Sequence, residues 1–200
     1  MSEPVSSAAF WNARYLEGDT GWDKGRASPP IARMIAQGDV APCKVAVLGA
    51  GRGHEALAFA GHGFDVTAID FAEEACRAIR DAAVARGLSM DVLQADLFEL
   101  GGTHSGRFEA VLENTCFCAI DPARRGEYVR VVEQILRADG TFFGLFYAHG
   151  RPGGPPFTTS EEEVRTLYGP GFELTRLLRA PDSLPGRAGE ELEFLFRRKG

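Results

Sequence analysis

The residues whose type and spacing best suit a small ligand are Gly49, Gly51 and Gly53, followed by Asp70. Alternate glycines allow backbone angles that a Cβ forbids, and they let main-chain N–H groups come close to a bound group. An acid at the end of the following strand can accept a pair of ribose hydroxyls. A dinucleotide-binding loop would read G-x-G-x-x-G, but the third glycine is missing and His54 stands in its place. The pattern therefore points to a nucleoside-bearing cofactor other than a dinucleotide, with an NAD-binding domain as the alternative.

Strand, turn and helix must hold these groups. Residues 44–48 form an apolar, β-branched run that stops at Gly49, and an Ala/Leu/Phe helical pattern starts near His54. A second strand over 65–70 ends at Asp70. A helix over 72–86 and a third strand over 90–94 follow, with Asp96 just beyond that strand. Further strands are expected over 108–112, 141–146, 172–178 and 191–197, with helices over 122–136 and 160–168. Ser160 and Glu163 have the spacing of a capping box. Ahead of the first strand, helices are expected over 7–17, with Ser6 or Ser7 as N-cap, and from Pro29 to Gln37.

At 200 residues the chain suits one domain with a full core. A formal charge of −6 and the lack of a dense Lys/Arg run argue against nucleic acid as a partner and for a small-molecule substrate. No basic-then-apolar leader opens the chain and no apolar run reaches the ~20 residues of a membrane span, so a soluble cytoplasmic protein is expected, as a monomer. Cys43, Cys76, Cys116 and Cys118 lack zinc-ligand spacing, so no metal is expected.

Trp11 and Tyr15 share a helical face, and Trp22 follows the break at 18–21. Periodicity alone favours these aromatics as the cap on one end of a core over a lid above a cofactor, where a sulfonium gains from a π face. The run F-W-N-A-R-Y-L-E-G-D-T-G-W-D-K-G, residues 10–25, resembles the N-terminal signature of the thiopurine methyltransferase superfamily, most closely its thiol and halide methyltransferase branch. That resemblance implies that Trp11, Tyr15 and Trp22 contact S-adenosylmethionine. It also implies that Gly49 and Gly51 pass its methionine part, that Asp70 holds its ribose, and that Asp96 with the amide of Leu97 holds its adenine.

Residues 113–122, E-N-T-C-F-C-A-I-D-P, resemble the cleft segment of that branch, with Glu113 in place of its usual Asp and Cys116 in place of a Phe. By the same resemblance Asn114 is a cofactor contact and Arg125 the active-site arginine; Tyr147, closing the fifth strand, is a further candidate, with Arg125, for orienting the nucleophile. A G-G-P-P-F loop at 153–157 and R-x-G-x-E at 187–191 complete the likeness.

The implied fold is a single-domain, Rossmann-like class I methyltransferase, a seven-stranded and mostly parallel sheet flanked by helices. Residues 1–38 are expected as an N-terminal helical lid and 44–200 as the sheet core. The implied reaction is methyl transfer from S-adenosylmethionine to a thiol or halide. A thiopurine or other aromatic thiol, a selenol and an oxygen nucleophile remain alternative acceptors.

Overall fold

The run Lys44–Leu48 forms strand β1, paired on both edges by parallel neighbours and buried over its last four residues because packed layers cover both faces of the sheet. The neighbours are β2 (Asp65–Asp70) and β4 (Phe108–Asn114). With β3 (Asp91–Gln94), β5 (Leu136–Tyr147), β6 (Phe172–Arg179) and β7 (Glu191–Arg198) they make one sheet in the order β3-β2-β1-β4-β5-β7-β6. Among the described residues only β7 runs against its neighbours, as the return strand of the β6–β7 hairpin. The computed structural model describes residues 4–200, so residues 1–3 of the expected lid lie outside the described residues.

Helices cover both faces: α1 (Ala8–Glu17), α2 (Pro29–Gln37), α3 (His54–Gly61), α4 (Glu73–Ala85), α5 (Leu100–Thr103), α6 (Arg125–Ile135) and α7 (Glu161–Tyr168). The pleat of β5 sends Phe142 and Phe146 to one face and Phe143 and Leu145 to the other. On the first face an aromatic block forms around Phe146 and Phe194, whose ring centroids lie 4.2 Å apart, with Tyr128, Tyr168 and Phe172 from the helices and β6.

Local signals set the N-terminal segment. Ser7 Oγ accepts from the Phe10 amide at 3.1 Å, and Gly18 ends α1 at φ 73°. The Glu74 amide donates to Asn12 Oδ1 at 3.2 Å, which ties α1 to the start of α4. The expected two-helix lid is corrected here. α2 buries Pro30, Ile31 and Met34 in the core beside α3, so only α1 and the turn after it are left to cover a cavity.

Three other expectations change. β5 starts at Leu136 rather than Thr141, because Asp139 (φ 58°) and Gly140 form a bulge within the strand instead of a turn before it. Residues 101–107, a polar stretch expected as loop, begin inside the single turn α5. The capping box is half formed. Ser160 Oγ accepts from the Glu163 amide, but the Glu163 carboxylate is drawn away to Arg125 and Thr159.

Candidate active site

Beyond the C-terminal ends of the parallel strands lies a cavity of about 570 Å³. Its floor is the turn after β1, where Gly49 and Gly51 have φ of 55° and 58°. A Cβ on Gly49 would meet Cys116 Sγ at 2.7 Å and one on Gly51 the Tyr15 hydroxyl at 3.4 Å. Glycine is thus needed here for close approach as well as for backbone angle.

Asp70 lies beside the turn, 8% exposed. One carboxylate oxygen accepts the Gly51 amide and the other the Ala72 amide, both at 2.9 Å. Each oxygen keeps a second acceptor direction. Burial pushes the Asp70 carboxyl up from its ordinary pKa, and the amides of Ala72, Gly51 and Phe71 oppose that rise. Asp96 lines the same end of the cavity with Leu97 and Phe98, and its Oδ1 accepts the Phe98 amide at 2.9 Å. That bond fixes the turn after β3 and leaves one oxygen free of this duty.

Trp11, Tyr15 and Trp22 all line the cavity and belong to neither core cluster. They pack edge to face, with centroids 5.3 Å apart for Trp11 and Trp22 and 5.6 Å apart for Tyr15 and Trp22. Trp11 Nε1 donates to the Val5 carbonyl at 2.8 Å. Burial and the nearby Asp70 carboxylate keep the Tyr15 phenol protonated far above neutral pH.

Asn114 sits at the end of β4, in a smaller side pocket of about 60 Å³ rather than in the main cavity. Its Nδ2 donates to Glu55 Oε1 at 2.8 Å, and the same oxygen accepts the Ser28 amide at 2.9 Å. Thr115, next in the chain, holds φ 64° and lines the cavity. A non-glycine residue held in that region costs about 1–3 kcal/mol, which the surrounding structure must offset.

Tyr147 lines the opposite end of the cavity, where the loops after β5 and before β7 meet. Its hydroxyl donates to Glu190 Oε2 at 3.0 Å and accepts from Arg151 at 2.9 Å. Burial and the bond to Glu190 raise its pKa, so it stays a neutral phenol. Arg187 covers its ring at 5.1 Å, pairs with the buried Glu191 at 3.1 Å, and also lines the cavity.

Arg125 does not reach the cavity, contrary to the role expected for it. A 3₁₀ turn, Pro122–Arg124, precedes α6 and changes the helical phase, so Arg124 lines the cavity while Arg125 turns inward. Arg125 is 3% exposed and bonded to Glu163 and to the carbonyls of Phe157 and Thr158. Arg124 instead stacks over Phe98 at 3.5 Å. Glu113, noticed in the sequence only as a replacement, is fully buried and accepts from Tyr128 at 2.5 Å and from the Phe117 amide at 2.8 Å. Desolvation pushes it up to about 7. Cys116 and Cys118 line the cavity as free thiols, both pushed up by burial and by Glu113, Cys118 to about 12.

A family model described as thiopurine S-methyltransferase matches residues 6–194, almost the whole chain. The chain belongs to the thiopurine S-methyltransferase family. It is accordingly an S-adenosylmethionine-dependent methyltransferase. It is 26% identical to thiocyanate methyltransferase 1 of Arabidopsis thaliana, over 90% of this chain and 81% of that protein. It is 28% identical to the thiopurine S-methyltransferase of Azotobacter vinelandii, over 88% of this chain and 87% of that one. Among solved structures, the Burkholderia thailandensis 1,6-didemethyltoxoflavin-N1-methyltransferase with bound S-adenosylhomocysteine superposes with a TM-score of 0.80 at 24% identity. That match covers 98% of this chain and 88% of the other, and it shows the shared class I methyltransferase fold. The residues that line the cavity suit the family's cofactor. A loop with glycine at 49, 51 and 53, a buried acid at the end of β2 and a wall of aromatic faces are what a nucleoside and a sulfonium require.

Proposed function

We propose that this enzyme methylates a small soft nucleophile, a thiol foremost and a halide second. The observation that carries this reading is the make-up of the acceptor end. There the β5 and β7 loops supply Tyr147, Pro155, Pro156, Leu184, Gly186 and Arg187, so the charged group they present is the Arg187 guanidinium. An acceptor that needed a strong base to remove its proton would find none among these residues. A thiol of pKa near ~8.5 is partly ionised at neutral pH, and the Arg187 guanidinium favours its anion.

In this reading Gly49, Gly51, Asp70, Asp96 and Leu97 hold the cofactor, and Trp11, Tyr15 and Trp22 close over it. When bound, S-adenosylmethionine supplies a methyl group made electrophilic by its sulfonium. Asn114 acts from the side pocket, with its amide turned by Glu55. The chain's own contribution is alignment and exclusion of water, from the aromatic wall at one end of the cavity and Pro155 with Pro156 at the other. Tyr147 presents its ring to the acceptor, since its hydroxyl is already engaged with Glu190 and Arg151.

The test is a panel of iodide, bisulfide, small organic thiols, thiopurines and phenols, followed by release of S-adenosylhomocysteine. Turnover of thiols, with or without iodide, is the expected result. Turnover confined to phenols would refute the soft-nucleophile reading while leaving the methyltransferase assignment in place.

A further inference from the structure

Arg125 is a buried guanidinium with an unusual set of partners. One terminal nitrogen bonds both Glu163 oxygens at 2.7 Å, and the other bonds the Phe157 carbonyl at 3.3 Å and the Thr158 carbonyl at 3.0 Å. Its Nε is buried without a partner, and the guanidinium lies over the Phe117 ring at 4.6 Å. No part of this residue borders the cavity, yet everything it holds does so at one remove. Pro155 and Pro156, which line the cavity, run directly into Phe157. The Phe157 amide donates to the Cys118 carbonyl at 2.7 Å, and the Thr159 amide to the Tyr147 carbonyl at 3.3 Å. Thr159 Oγ1 completes the set on Glu163 at 2.6 Å.

We infer that Arg125 is a positioning residue that straps residues 155–158 across the acceptor mouth and so favours organic thiols over small inorganic acceptors. The inference rests on the soft-nucleophile reading for its substrates, but the strap itself is a matter of the loop. Two carbonyls of an irregular segment are drawn onto one terminal nitrogen of a guanidinium whose other terminal nitrogen is anchored to the Glu163 carboxylate. The segment thereby becomes a rigid wall rather than a mobile flap. An organic thiol lies along that wall and depends on it for alignment. Iodide or bisulfide touches too little of the wall to feel its position. A shift of ~1 Å in such a surface can cost a large substrate up to ~100-fold in rate.

Arg125→Lys keeps the charge and loses the paired geometry, and Glu163→Gln keeps hydrogen bonding and loses the charge. In both, the ratio of kcat/KM for an aromatic thiol to that for iodide should fall about tenfold, mainly through KM of the thiol. Affinity for S-adenosylhomocysteine, measured by calorimetry, should stay within about twofold of the unmodified enzyme. Hydrogen exchange at the Phe157 and Thr159 amides should accelerate about tenfold or more. If iodide and thiol lose kcat equally in Arg125→Lys, the arginine acts on the nucleophile directly and the inference is overturned. Should the unmodified enzyme turn over neither thiols nor iodide, the substrate reading fails by itself. The strap then stands or falls on hydrogen exchange, and unchanged exchange in both variants overturns it.

Discussion

The two ends of the cavity are built on different physical lines. Toward β1, β2 and β3 the lining is held by glycine angles and by main-chain amides bonded to a carboxylate, as from Gly51 and Ala72 to Asp70. Toward β4, β5 and β7 the lining rests on contacts between side chains. Arg125 reaches across to Glu163, Tyr128 to Glu113, and Arg187 to Glu191 and Tyr147. A shared cofactor can be met by a fixed backbone, whereas the acceptor end can change with the side chains of a few loops. The difference makes the acceptor end the more sensitive to charge and to pH.

The largest effect should come from Glu113, whose pKa is pushed up to about 7 by desolvation. A carboxyl raised in the folded state contributes stability that is complete below its ordinary pKa of 4.5 and is lost as pH rises through about 7. The full loss is on the order of 3 kcal/mol. Glu113→Gln removes this dependence while keeping acceptor and donor groups for Phe117 and Tyr128. Thermal unfolding should show the unmodified protein losing Tm between pH 5 and pH 7.5 relative to the variant. Parallel Tm curves for the two proteins would show that Glu113 does not distinguish the acceptor end.

On the other side, Asp70→Ala should weaken S-adenosylhomocysteine binding by ~1.5–3 kcal/mol, the scale of hydrogen bonds to a charged group, about tenfold to a hundredfold in Kd. Unchanged affinity by calorimetry would remove Asp70 from the cofactor site. Tyr147→Phe should have the smallest effect, lowering kcat for a thiol by less than about threefold, because its hydroxyl serves Glu190 and Arg151 rather than the acceptor. A loss of a hundredfold would place that hydroxyl in the reaction after all.

This division also explains what could be read from the residues alone. The order of strands and helices, Gly49 and Gly51, and Asp70 at a strand end were legible because each depends on a local pattern of periodicity or glycine placement. Arg125 misled because a 3₁₀ turn ahead of α6 exchanged its direction with that of Arg124, a change of phase with no clear mark in composition. The burial of α2 was equally hidden, since its apolar residues suit a core face as well as a cavity mouth. Glu113, Arg187 and Thr115 take their roles from partners or backbone angles that only the folded chain supplies.

The two cavity cysteines bear on how the enzyme survives its own chemistry. A protein that holds an electrophilic methyl group beside free thiols faces self-alkylation, and the competing nucleophile is the thiolate. With its pKa near 12, Cys118 is ionised at neutral pH to only about one part in 10⁵, against a few per cent for an ordinary thiol. Cys116 is held neutral by the same burial and the same neighbouring carboxylate. The wall thus offers soft, polarisable sulfur surface to an acceptor while remaining kinetically silent toward the donor.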